Sequence, residues 1–255
     1  MSWARRVGST YVRIGKAYWA WAPALLLAAV IVFLPLGLLD AVSVHYDVED
    51  FQLDSGFKVA AVLGAIAAIT TTGLLGEVFY AGVIAALLTH SGDERRPGLR
   101  HIARHLDYGR LIAVDLLYVF LVIAGLVLAI VPGVLAYVWL GLAGPVVEIE
   151  GRGVWESLRR SASLVRRNFW FVAAIVIPIE IVGDGAGEGV TALVHTVLGH
   201  SFLASWVADS AAAIFLTPVL GVAAVLLTVD LIAAKDGTRP LLNPRPTPTD
   251  APVPA

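Results

Sequence analysis

The chain contains no cysteine, and only 15% of its residues carry a charged side chain. Without cysteine the sequence has no disulfide bond, no thiol nucleophile and no cysteine-ligated metal. Charge is scarce compared with about 25% in soluble domains, and a net charge of −2 gives no overall basicity for nucleic acid. In contrast, 58% of the residues are hydrophobic and the mean hydropathy is +0.80. This balance is typical of an integral membrane protein.

Six apolar runs predict an all-α integral membrane protein with six transmembrane helices arranged as three hairpins. Pro132-Gly133 marks the tight turn of the middle hairpin. A cleaved signal peptide is the alternative for the first run, but its length is closer to the roughly 20 residues of a span. The six predicted spans, which together form a membrane domain over residues 18–234, are 18–39, 59–89, 111–131, 134–147, 169–198 and 206–234.

Two further segments flank this membrane domain. Residues 1–17 place apolar and basic side chains at helical spacing, which predicts an amphipathic helix at the membrane interface. Residues 235–255 are rich in proline and cannot form a core, so they are predicted to be a disordered tail.

The basic residues select one side of the membrane. All lysines and arginines except Lys58 fall before the first predicted span, between the second and third, between the fourth and fifth, or after the last. Basic loops stay in the cytoplasm, so both termini are predicted to be cytoplasmic and residues 40–57 external.

The segment Gly153–Trp170, GVWESLRRSASLVRRNFW, is a basic amphipathic stretch between two apolar runs. At helical spacing its apolar residues share one face and its arginines the opposite one. Such a helix is expected to lie flat on the cytoplasmic interface, with its arginines among anionic lipid headgroups. The candidate lipid contacts are Arg159, Arg160, Arg166 and Arg167.

These residues carry a family resemblance. Pro145-Val-Val-Glu148 followed by GVWESLRRSASLVRRNFW, within six spans, resembles the bacterial YciC-like membrane proteins. It is equally similar to the membrane domain fused to some glycerophosphodiester phosphodiesterases. The resemblance implies a bacterial cytoplasmic membrane protein. The proline-rich tail could not form the catalytic barrel of the fused proteins, so that activity and its residues are not carried over.

Glu77 and Glu180 are acidic residues placed near the middle of their predicted spans, where burying a charge is costly. Neither has a lysine or arginine within its own span. They could form an intramembrane relay for a proton or cation. Alternatively, each is a neutral acid bonded to a hydroxyl of residues 70–72 or to a carbonyl freed by Pro178. Asp115 and Asp230 lie nearer the cytoplasmic ends of their spans and are interpreted as interfacial anchors.

A glycine-rich run interrupts the fifth span and provides small residues at spacings that allow close helix packing. The predicted packing glycines are Gly183, Gly185, Gly187 and Gly189. No phosphate-binding loop is expected there, because the required Lys-Ser/Thr is missing. His195 and His200, with Asp184 and Glu188, are a weak candidate for an outer metal site, and we predict neither a metal nor a cofactor.

No catalytic motif such as HExxH or GxSxG occurs in the sequence, so we expect no enzyme. The first hypothesis is a structural or interaction protein that contacts the bilayer, anionic headgroups or a membrane-protein partner. The alternative is a transporter, or a transporter subunit, that uses Glu77 and Glu180 as its relay.

Overall fold

The computed structural model describes residues 2–45, 74–89, 99–199, 201–237 and 242. Within these ranges all regular structure is α-helical, and no strand occurs there. Five stretches of the described chain are long and apolar enough to cross a bilayer, which confirms the prediction of a helical protein with membrane-length segments. The helices are α1 (Trp3–His45), α2 (Glu77–Thr89), α3 (Leu99–His105), α4 (Tyr108–Leu128), α5 (Ile130–Leu140), α6 (Ala143–Glu150), α7 (Val154–Val165), α8 (Phe169–Leu198) and α9 (Phe202–Asp236).

No helix end marks the predicted boundary between residues 17 and 18, because α1 runs through it without a break. The N-terminal segment and the first apolar run form one 43-residue helix. Residues 15–19 contain no proline that would remove a backbone hydrogen bond at this point. Pro23 lies farther along, inside the helix.

The middle hairpin turns at Ala129, three residues before the predicted Pro132-Gly133. Ala129 is extended and ends α4, while Pro132 lies in the first turn of α5. Proline is tolerated there because the amides of a first helical turn have no partner within the helix. A Cβ atom on Gly125 would lie 2.9 Å from the Cα atom of Gly133, so glycine allows the two helices to approach this closely.

The residues of the fifth predicted span, 169–198, form the single helix α8. The sixth is longer than predicted, because α9 begins at Phe202, where the hydroxyl of Ser201 accepts a hydrogen bond from the amide of Ala204. It ends at Asp236, followed by Gly237 in the left-handed conformation at φ 72°. The predicted start of the tail, residue 235, is therefore two residues too early.

Most of the predicted tail, residues 243–255, lies outside the described residues. Leu242 is described, and it packs partly buried against the hydrophobic core. It lies in a groove with Trp21 of α1, Leu88 of α2 and Leu226 of α9. The start of the tail thus contacts the helix bundle.

Helix α9 is the central packing element, since it contacts α1, α2 and α8. Helix α2 is buried on all sides: Val78, Tyr80 and Ile84 are at most 2% exposed, and six further residues of the helix are buried. A helix that is apolar around its whole circumference belongs in an interior. A short apolar helix is therefore enclosed by longer ones.

The second predicted span, 59–89, is interrupted. Its first part, residues 59–73, lies outside the described residues. Leu74 is helical, Leu75 and Gly76 form a turn, and α2 begins at Glu77. Gly76 has a φ of 93°, which only glycine adopts readily.

The fourth predicted span is interrupted as well, by a turn at Gly141-Leu142 between α5 and α6. Helix α6 packs against α2 at very close range, because a Cβ atom on Gly144 would lie 1.9 Å from the carbonyl oxygen of Val78. Two interrupted helices therefore contact each other through glycine inside the bundle.

Replacing Gly76 by alanine should destabilise the fold. The new Cβ atom would lie 2.6 Å from Leu36 Cδ1 at a positive φ, and such backbone strain costs about 1–3 kcal/mol. We expect a lower thermal unfolding temperature in detergent. The matched control is Gly183→Ala, which meets no described atom within 4 Å and should be neutral or slightly stabilising. Equal melting temperatures for the two variants would contradict the interrupted helix.

Candidate functional site

The side chain of Asp115 joins α4 to the beginning of α2. Its carboxylate accepts hydrogen bonds from the backbone amides of Gly76 at 2.8 Å, and of Val78 and Phe79 at 3.1 Å each. The first amides of a helix lack partners within that helix, and a negative charge is favourable at this end. Asp115 is 3% exposed, so its interpretation as an interfacial anchor is wrong.

This arrangement brings Glu77 and Glu180 together. Glu77 is the first residue of α2, and Glu180 lies near the middle of α8. Their carboxyl groups lie within hydrogen-bonding reach of each other, although 103 residues separate them in sequence. The charges that act on the pair from the described residues are acidic or tyrosyl, and none is basic.

Two tyrosines lie next to the Glu77–Glu180 pair, on the side toward the interior of the bundle. Tyr137 of α5 has a buried hydroxyl and lies beside Glu180. The ring of Tyr118 lies 6.3 Å from that of Tyr137. Together with Glu77 they line a cavity of about 30 Å³, which is enough for one water molecule. The two tyrosines and Glu77 therefore surround a space in which a water molecule could lie between their polar groups.

On its outer side the pair opens into a larger crevice between α1, α8 and α9. Glu180, Asp184 and Glu188 follow one another at four-residue intervals, so they share one face of α8. With Glu77 they line a space of about 560 Å³. We call these four residues and the space between them the acidic crevice. Asp184 and Glu188 are exposed, so the crevice connects the half-buried pair to the surface.

The local alternatives for the two acids find no support in the described residues. Pro178 lacks an amide hydrogen and so frees the carbonyl of Ala174. That carbonyl accepts a hydrogen bond from the Tyr11 hydroxyl at 2.9 Å, and Glu180 does not reach it. The hydroxyls at residues 70–72 lie outside the described residues.

The four arginines of α7 and its C-terminal end differ in their surroundings. Arg160 donates hydrogen bonds to Glu150, the closest at 2.8 Å, and also pairs with Asp236. The hydrogen bonds to Glu150 raise the pKa of the Arg160 guanidinium. The prediction that Arg160 contacts lipid is therefore wrong, because a carboxylate inside the protein binds it. Arg159, Arg166 and Arg167 are exposed.

The apolar face of α7 packs against protein. Leu158 is 2% exposed and Val165 is fully buried, and the helix contacts α4, α5, α6 and α9. The hydroxyl of Ser161 donates a hydrogen bond to the carbonyl of Trp139 at 2.6 Å. Helix α7 is thus part of the helix bundle, and its exposed face lies on the surface of the protein.

One end of the bundle gathers the basic segments. Arg13 of α1 binds Asp230 of α9 through two hydrogen bonds, at 2.5 and 3.1 Å, so Asp230 meets an arginine as expected. Lys235 donates to the hydroxyl of Ser163 on α7 at 3.0 Å. The N-terminal part of α1, the end of α9 and α7 therefore lie together.

The predicted packing role of the glycine run is wrong within the described residues. A Cβ atom on Gly183, Gly185 or Gly189 would meet no described atom within 4 Å, and one on Gly187 would make only ordinary contact with Ala212. Close approaches occur at other glycines, among them Gly144 and the hairpin glycines Gly125 and Gly133.

The candidate outer metal site is only partly within the described residues. His200 lies outside the described residues, and the described part of the chain contains no group of three or more potential metal ligands. Asp184 and Glu188, two of its acids, instead line the acidic crevice.

Sequence reasoning identified Glu77 and Glu180 but did not place Asp184, Glu188, Tyr118 or Tyr137 with them. The four-residue spacing from Glu180 to Asp184 and Glu188 was a readable signal of a shared helix face. The role of Tyr137 had no such signal, since its approach to Glu180 depends on how α5 and α8 pack.

Asparagine at position 115 should destabilise the protein, because the amide group would direct N–H donors at backbone amides that need an acceptor. Such a mismatch costs about 1–3 kcal/mol and should lower the thermal unfolding temperature. Asp107→Asn is the control, since Asp107 is an exposed helix cap whose side chain accepts from the Arg110 amide, and asparagine caps equally well. An Asp115→Asn variant with an unchanged unfolding temperature would show that the carboxylate does not stabilise the start of α2.

No protein-family model matches this chain, and no solved structure matches it. The resemblance to YciC-like membrane proteins therefore stays a prediction carried by residues 145–170.

Proposed function

We propose that this chain is a non-enzymatic membrane transport protein, or a subunit of one, in which Glu77 and Glu180 bind and release a proton or a small cation. One observation carries the proposal. Two carboxyl groups from separate helices meet inside the bundle, and no basic residue of the described chain acts on them. A structural protein has no need of this costly arrangement.

The chemistry of the pair favours proton exchange. Two carboxyl groups in a low-dielectric site do not both hold a negative charge at short range, so they share a proton. Loss of that proton leaves a charge that must be stabilised by water, by a cation or by movement of a helix. Binding is thereby linked to conformation, as coupled transport requires.

The interrupted helices support the same proposal. In many transporters, ion and substrate sites lie where membrane helices are broken, because the freed backbone groups and side chains meet there. Here α2 begins at Glu77, and the turn at Gly141-Leu142 lines the small cavity beside it. Counting from Phe169, Glu180 lies roughly 16 Å along α8, near the middle of a bilayer.

Glutamine at position 77 or 180 should abolish proton movement while preserving the fold, because an amide keeps the shape but does not exchange the proton. The measurement is proton flux into proteoliposomes under a potassium diffusion potential, followed with a trapped pH dye. Glu156→Gln, which changes an exposed acid on α7, should behave like the unmodified protein. Wild-type flux no greater than that of empty liposomes, or unchanged flux in both variants, would refute the proposal.

A second candidate function is contact with anionic lipid or with a membrane-protein partner at the basic end of the bundle. Arg159, Arg166 and Arg167 are exposed there, and so are Trp155 at 54% and Trp170 at 77%. Arginine with tryptophan is typical of a membrane interface. This role is compatible with transport and concerns a different surface.

Replacing Arg159, Arg166 and Arg167 together by glutamine should weaken the retention of anionic lipid, since each charge near the surface contributes about 1 kcal/mol. The readout is the anionic lipid that co-purifies in mild detergent. Arg160→Gln is the control: it breaks an internal ion pair, so it should lower stability but leave lipid retention unchanged. Equal lipid content in the triple variant and the wild type would remove the lipid role.

For topology we propose six spans in three hairpins, with both termini in the cytoplasm of a bacterial cell. The positive-inside rule supports this orientation. The pairing of Arg13 with Asp230 and of Lys235 with Ser163 agrees with it, because both pairs join basic segments at one end of the bundle. At roughly 54 Å, the 36 residues Trp3–Leu38 exceed a hydrocarbon core of about 30 Å, so α1 would extend beyond it.

Single cysteines in this cysteine-free chain test the topology. A cysteine at Ser55 should react with a membrane-impermeant maleimide on intact cells, whereas one at Glu156 should react only after permeabilisation. Glu156 is preferred to Ser157, whose side chain is fully buried. External labelling at Glu156 would invert the arrangement.

A further inference from the structure

A second cavity, about 440 Å³ in volume, lies on the other side of the helix interruption, between α1, α2, α3 and α4. We call it the apolar pocket. Its volume falls in the range of about 300–1,000 Å³ that is usual for ligand sites. Val32, Phe79, Leu106 and Ile112 line it, and the charged lining residue is Asp115.

The chemistry of this lining selects an apolar ligand. Both carboxylate oxygens of Asp115 already accept hydrogen bonds from the backbone of α2. The hydroxyl of Tyr108 donates to the carbonyl of Ala103 at 2.6 Å. The polar side chains of the pocket are thus occupied, and what remains is aliphatic and aromatic surface. A polar ligand would lose its hydration there without gaining partners.

The pocket opens to a surface of the bundle that is itself apolar. Three of its lining residues are strongly exposed: Ile31 at 65%, Ile112 at 49% and Leu116 at 53%. In a protein of membrane-spanning helices such a surface faces lipid. The molecules that can enter from this side are those dissolved in the bilayer.

One end of the pocket is formed by a segment that carries a cationic residue. Ala103 and Leu106 of α3 line the pocket, and Arg104 between them is exposed. Tyr108, an aromatic residue typical of membrane interfaces, lies at the same end. A chain that enters here would leave an anionic head next to Arg104.

From this geometry we infer that the apolar pocket binds an acyl chain of an anionic phospholipid, whose phosphate lies at Arg104. The apolar pocket is a separate site from the proposed Glu77–Glu180 relay, and the inference does not depend on that relay. Leu36 and Leu75 line both the apolar pocket and the acidic crevice, so the bound chain would lie against the turn that precedes Glu77.

The test uses the full chain in nanodiscs that contain phosphatidylglycerol with a photoreactive diazirine in one acyl chain. After illumination, mass spectrometry locates the labelled residues. Label should concentrate on Val32, Phe79 and Ile112. Label spread evenly over exposed residues away from the pocket, such as Phe120 and Val127, would indicate ordinary surrounding lipid and overturn the inference.

A blocking variant provides the matched comparison. Ala103→Trp adds bulk at the pocket from an exposed position and should reduce pocket labelling about tenfold, because displacing even two methylene groups removes that much binding. Val127→Trp, at a position 61% exposed outside the pocket, should leave labelling unchanged. Unchanged labelling in Ala103→Trp would contradict the site. If that variant fails to fold, the wild-type label map decides.

A comparison of two lipids tests whether an anionic headgroup lies at Arg104. With photoreactive phosphatidylcholine in place of phosphatidylglycerol, wild-type labelling should fall, and Arg104→Gln should label equally with both lipids. Arg5→Gln, which removes an exposed arginine near the start of α1, should keep the preference. Equal labelling of the wild-type protein by the two lipids would exclude an anionic headgroup at Arg104.

Discussion

The carboxylate of Asp115 accepts hydrogen bonds from three backbone amides at the start of α2, and the other features of the site depend on this contact. A helix that begins inside an apolar bundle exposes donors that lipid and hydrocarbon side chains cannot satisfy. Asp115 satisfies them from a neighbouring helix. The turn at Gly76 is thereby stabilised, and the first residue of α2, Glu77, is fixed next to Glu180.

The turn at Leu75-Gly76 also separates two interior spaces that differ in polarity. On one side lie the acidic crevice and the small cavity beside Tyr137, where carboxyl and hydroxyl groups converge. On the other lies the apolar pocket, whose lining is nearly all hydrocarbon. Leu75 lines both the acidic crevice and the apolar pocket. A shift of the turn at Leu75-Gly76 would change the acidic crevice and the apolar pocket together. Such a shift would link protonation of the acidic pair to binding in the apolar pocket.

The sequence was sufficient to predict features that depend on local pattern. Long apolar runs predict helices, and the limits of 169–198 were correct. Glu77 and Glu180 stood out because charge is costly inside a span. Features that depend on how helices pack were missed. Whether Asp115 faces the surface or the first amides of α2, and whether Arg160 meets lipid or Glu150, is decided by neighbours that are remote in the chain.

The central claim is that Glu77 and Glu180 lie side by side although they come from different helices. Because the protein has no cysteine of its own, cysteines placed at both positions can be tested with a short bifunctional methanethiosulfonate, with the product identified by mass spectrometry. We predict rapid intramolecular linkage of the Glu77→Cys, Glu180→Cys pair. The Glu77→Cys, Ile181→Cys pair should not link, since Ile181 is 65% exposed. Failure of the first pair, or equal linkage of both, would contradict the site described above.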